Sequence, residues 1–137
     1  MNKLSVLQNV NTVFAHPYPH ICIDEALPQS IYDELDATFP EELICSTTPH
    51  DGGVCYRYKA KECAQEAPPA IWQDFFAYHT SQEYFQECAR LFEPHIVEAY
   101  GDEFMHDMLT KDVSVRDVDT GGHYVADCQF VVHEPVD

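Results

Sequence analysis

From His123 to Pro135, apolar and mixed positions alternate residue by residue. Successive side chains on a strand point to opposite faces. The even positions Tyr124, Ala126, Cys128, Phe130 and Val132 therefore form one apolar face, and the odd positions His123, Val125, Asp127, Gln129, Val131 and His133 form a half-polar one. Gly121 and Gly122 precede the run, Pro135 closes it, and its valines and aromatics favour extended backbone. The pattern predicts one long strand, its even face packed on helices and its odd face turned to a cavity or to water.

The same two periods organise the rest of the chain. Residues 1–12 are weakly amphipathic and predict a short helix or a loose tail. Pro17 and Pro19 flank Tyr18 and impose extended backbone, and His20 to Asp24 reads as a short strand. Ile31, Leu35 and Phe39 recur at four-residue steps between acidic positions, a helix opened near Pro28 and closed by Pro40. Residues 40–53 read as a loop. In V-C-Y-R-Y-K-A, Val54, Tyr56 and Tyr58 oppose Cys55, Arg57 and Lys59, a strand with one buried face.

Pro68 and Pro69 open a helix striped by Ile71, Trp72, Phe75 and Phe76. Thr80 and Glu83 have the spacing of a capping box. Behind them Phe85, Cys88, Ala89 and Phe92 fall at i, i+3, i+4 and i+7, a helix that ends before Pro94. Pro94 to Tyr100 predicts another, with Gly101 as its C-terminal cap. After an acidic connector, Asp112 to Val118 reads as a strand that D-T-G-G turns back into the terminal one, an antiparallel hairpin. The expected class is α+β, a small antiparallel sheet with helices packed on one side.

Charge narrows the partners. Seven basic residues against 24 acidic ones leave a net charge of −17. A phosphate backbone needs a basic footprint, and anionic lipid repels this charge, so neither nucleic acid nor membrane is expected. The acids are scattered among aromatics, which suits solubility better than mimicry of nucleic acid. The N-terminus lacks the basic start and sustained apolar core of a signal peptide. No run approaches the roughly 18 apolar residues of a membrane span. A cytoplasmic location is expected, with the six irregularly spaced cysteines reduced and packed as small hydrophobes.

Local chemistry is sparse. His16 and His20 are separated by prolines that exclude a helix, and in extended backbone they stand about 13 Å apart, too far to share a metal held at about 2 Å by each ligand. No G-x-S-x-G, glycine-rich phosphate loop or H-E-x-x-H occurs. Arg57, Lys59 and Lys61 form a basic cluster that suits either an anionic ligand or a solvated strand edge. The remaining candidates are Asp127, Gln129 and His133 on the odd face of the last strand, which either line a pocket or meet solvent.

That strand carries a resemblance. C-Q-F-V-V-H-E-P-V is similar to the L-Q-V-x-x-Y-x-P-G strand of prolyl 4-hydroxylase-like oxygenases, which use Fe(II) and 2-oxoglutarate. The earlier order P-Y-P-H-I-C-I-D, then L-P-x-x-x-Y-x-x-L, then F-P also resembles the opening of such enzymes. In that family the strand leads shortly to the iron-binding H-x-D, and a later histidine and a basic residue complete the site. The resemblance implies the N-terminal part of a jelly-roll oxygenase. Residues 1–137 would be one domain, incomplete at its C-terminal end and inactive alone because the metal ligands are absent.

His133 stands where the family has a tyrosine close to 2-oxoglutarate, and Val136 replaces the glycine of the following turn. Gln129 and Asp127 would lie deeper in the same cosubstrate pocket. Fe(II) and 2-oxoglutarate are thus implied for the intact protein and no metal ligand for this chain. An open edge on the terminal hairpin would favour self-association. The alternative function is a stand-alone acidic interaction or scaffold module without enzymatic activity.

Overall fold

The structure, a computed structural model, describes residues 2–135. It is α+β, with seven α-helices and four short strands among the described residues. The order is α1 (Gln29–Ala37), α2 (Glu41–Cys45), β1 (Cys55–Lys59), α3 (Ala60–Gln65), α4 (Ala70–His79), α5 (Gln82–Leu91), α6 (Glu93–Tyr100), α7 (Asp102–Thr110), β2 (Val113–Val115), β3 (Tyr124–Ala126) and β4 (Gln129–His133).

Phe130 on β4 is the centre of the core. Its ring centroid lies 4.5 Å from that of Phe76 and 4.7 Å from that of Trp72, both edge-on, and 6.3 Å from the nearly parallel Tyr58. Such pairs contribute about 0.5–1.5 kcal/mol each beyond the area they bury. Ile44 of α2 and Ala60 of α3 complete the cluster. Trp72 also donates its indole N–H to the carbonyl of Leu35 at 3.1 Å, tying α4 to α1. Burial pushes the Tyr58 phenol up to about 12, with smaller contributions from Cys63, Glu66 and Glu62. Its hydroxyl donates to the Glu62 carbonyl at 3.2 Å.

The terminal segment departs from expectation in pairing but not in facing. It is two strands, β3 and β4, interrupted at Asp127 and Cys128. β4 pairs antiparallel with β1, and β3 pairs parallel with β2. The antiparallel hairpin expected from D-T-G-G is therefore not formed. Asp117 turns left-handed at φ +59°, and the chain returns to the start of β2, where His123 N–H donates to the Asp112 carbonyl at 2.8 Å. β3 then leaves in the same direction as β2. A parallel pair normally needs a connection of about a dozen residues or more. Here strands of three residues each allow residues 116–123 to suffice.

Gly122 makes that return feasible, because a Cβ there would sit 2.3 Å from the Ser114 backbone nitrogen. Through both strands the burial alternation persists: residues 124, 126, 128, 130 and 132 are covered, and residues 123, 125, 127, 129, 131 and 133 are exposed.

Other boundaries move. The loop expected over residues 40–53 contains α2 and a 3-10 turn at Asp51–Gly53. The acidic connector is α7, whose Phe104, Met105, Met108 and Leu109 recur at helical spacing. The strand expected at His20–Asp24 is reduced to a single bridge between Phe14 and His20. The N-cap of α5 is Ser81, whose hydroxyl accepts from Tyr84 N–H, while the Thr80 hydroxyl donates to the Phe76 carbonyl. The expected capping box is not formed: the cap moves one residue on to Ser81, where Tyr84 at the third helical position has no carboxylate or amide to return the bond.

Candidate functional site

Antiparallel register places directly opposed side chains on one face. In β1 and β4 the opposed pairs on the outward face are Cys55 with His133, Arg57 with Val131, and Lys59 with Gln129. The inward face carries Tyr58 and Phe130 into the core. Gln129, Val131 and His133 are exposed. Cys55 lies beneath His133, only 1% exposed, with its Sγ 3.8 Å from His133 Nε2. At the strand end Tyr56 donates its hydroxyl to Glu134 Oε1 at 3.3 Å. The Glu134 charge, with burial second, raises that phenol above its ordinary value.

The structure brings together two of the three sequence candidates. Gln129 and His133 share the outward face of β4. Asp127 lies in the break between β3 and β4, with Oδ2 3.8 Å from a guanidinium nitrogen of Arg116 just past β2. The expectation that it continues the same strand fails, because the two halves of the segment have different partners. Val136 lies outside the described residues.

Among the described residues, no group of three or more His, Cys, Asp or Glu side chains could hold a metal ion.

Two further constellations are visible only in three dimensions. The N-terminal segment folds as turns against α4 and α5, with Ser5 and Leu7 buried. Ser5 donates to Glu87 Oε1 at 2.7 Å, and Tyr78 donates to Oε2 of the same carboxylate at 2.5 Å. Burial, reinforced by that carboxylate, pushes the Tyr78 phenol up to about 12. Beside it, His79 Nδ1 bonds the Phe75 carbonyl at 2.7 Å and Nε2 receives the Val6 N–H at 3.4 Å. No local spacing signals this cluster, whose members come from opposite ends of a long sequence separation.

The second constellation is an apolar groove between α5, α6 and α7. The stripe of Phe85, Ala89 and Phe92 is legible in the sequence, but that part of it faces an open groove is not. All six cysteines are free, from the exposed Cys22 to the buried Cys55.

The chain matches no protein-family model, no curated protein and no solved structure. No helix among the described residues is long and apolar enough to cross a membrane.

Proposed function

We propose that the chain forms the opening portion of an Fe(II)/2-oxoglutarate-dependent oxygenase, with the outward face of β4 lining the cosubstrate pocket that later strands complete. One observation carries the reading beyond the likeness of residues. On the outward face of the β1–β4 sheet Val131 is 38% exposed and Gln129 and His133 are exposed beside it, with Cys55 the buried member of that face. Exposed β-branched residues on a strand suit a covering layer of further strands. Two of the seven basic residues, Arg57 and Lys59, stand on that face too, a polarity suited to a dicarboxylate. His133 donates one hydrogen bond from its ring where the family has a phenol.

The test is the coding sequence beyond Asp137. An H-x-D followed by a distal histidine and an arginine supports the reading. The encoded protein then releases succinate from 2-oxoglutarate in an iron-dependent manner, and His133→Ala and Gln129→Ala raise the 2-oxoglutarate requirement. A reading frame without those residues, or turnover indifferent to both substitutions, defeats it.

The second reading is an acidic interaction module without enzymatic activity. The groove between α5, α6 and α7 favours it, since an almost wholly apolar surface left open is suited to a partner.

A further inference from the structure

The groove between α5, α6 and α7 has a volume of about 450 Å³ and an almost wholly apolar lining. Phe85, Ala89 and Phe92 contribute from the α5 side, Ile96 and Ala99 from α6, and Met108 from α7. The spacing explains why they converge. Residues 85, 89 and 92 form one helical stripe, and residues 92, 96 and 99 continue it after the turn. α6 has no buried residue, so its apolar stripe is not consumed by the core. Tyr100, 69% exposed, extends the lining toward solvent and meets Phe104 at a tilt, with ring centroids 5.0 Å apart.

Charge selects the occupant. Between Phe92 and Thr110 the chain carries Glu93, Glu98, Asp102, Glu103 and Asp107 and neither lysine nor arginine. The first four are exposed. A second copy of a molecule with net charge −17 would bring the same carboxylates against these. These carboxylates stand on α6 and α7, the helices that form two sides of the groove, though outside its lining, and they attract a cationic partner to this part of the surface. We infer that the groove of α5, α6 and α7 binds a basic amphipathic helix of a partner protein. The partner's apolar side chains at i, i+3 or i+4, and i+7 enter the groove, and its lysines and arginines meet Glu93, Glu98, Asp102 and Glu103. The inference is independent of the oxygenase reading, because the groove shares no residue with the outward face of β4.

The experiment is a fluorescence-anisotropy titration of the full chain with three dye-labelled synthetic peptides. One is a Leu/Lys peptide patterned as an amphipathic helix, one has the same composition scrambled, and one is the patterned Leu/Glu counterpart. The patterned Leu/Lys peptide binds, the scrambled one binds at least about tenfold more weakly, and the Leu/Glu peptide does not bind. Ala99→Arg and Tyr100→Ser, both at exposed positions, leave the circular dichroism spectrum unchanged and weaken the patterned peptide by about tenfold.

Equal binding of scrambled and patterned peptides would show attraction by charge alone and overturn the inference. Unchanged binding to both variants would overturn the groove as its location. A dimer in sedimentation that Ala99→Arg dissolves would make a second copy the occupant and overturn it likewise.

Discussion

Ser5 and Glu87, 82 positions apart in sequence, are joined by a 2.7 Å hydrogen bond from the serine hydroxyl to the carboxylate. Ser5 is fully buried, so the bond anchors the N-terminal segment to α5 and does not merely decorate it. Tyr78 occupies the second carboxylate oxygen. Glu87→Ala leaves both hydroxyls without that acceptor. Hydrogen bonds to charged groups contribute about 1.5–3 kcal/mol, and a loss of that size is expected in urea denaturation. Limited proteolysis should cut the variant within residues 2–10 first, whereas the unmodified chain is protected there.

His79 makes the same anchor sensitive to pH. The Phe75 carbonyl can only accept, so Nδ1 carries the ring proton and Nε2 is left to accept from Val6 N–H. Burial lowers the His79 pKa from 6.5, and the Phe75 carbonyl and the Glu87 charge only partly oppose it. The folded chain therefore favours the neutral ring. Its contribution to stability is complete above 6.5 and is lost as pH falls through the lowered folded value, because the unfolded chain takes up the proton first. Urea midpoints measured at a series of pH values should drop on the acid side, and His79→Phe should flatten that drop.

Phe130 is the residue on which the core closes. Its ring meets Phe76, Trp72 and Tyr58, and Phe39 lies within 6.1 Å between centroids. Phe130→Ala should cost about 3–5 kcal/mol, read as a lower denaturation midpoint. The conservative Phe130→Leu keeps most of the volume and should lose clearly less.

Gly122 is required by contact with β2. Gly122→Ala places a methyl 2.3 Å from the Ser114 nitrogen and 2.7 Å from its hydroxyl, so β2 or the returning chain must shift. Overpacking of this kind costs about 1–3 kcal/mol. Hydrogen exchange should quicken at Ser114, Val115 and Arg116, while the amides of β1 and β4 stay protected.

The helices α1, α4, α5 and α6 were legible because each carries its own apolar stripe and its own stop, Pro40 after the first and Gly101 after the last. α7 carried a comparable stripe in Phe104, Met105, Met108 and Leu109, obscured by its acidic residues. α3 was hidden because β1 runs into it without a turn, at Lys59 and Ala60. Of the candidate site, the outward placement of Gln129 and His133 was readable, while the separation of Asp127 was not.

The sequence by itself determined which side chains of residues 123–133 face inward, because alternation is a property of extended backbone whatever it pairs with. Only the tertiary structure decided the partners. β4 joined β1 because Phe130 could then meet Tyr58, Trp72 and Phe76 in one cluster. β3 instead lay parallel to β2, where the left-handed Asp117 and the bare Cα of Gly122 let the chain double back. Pairing and docking depend on contacts between residues far apart in the chain, and no local period encodes them.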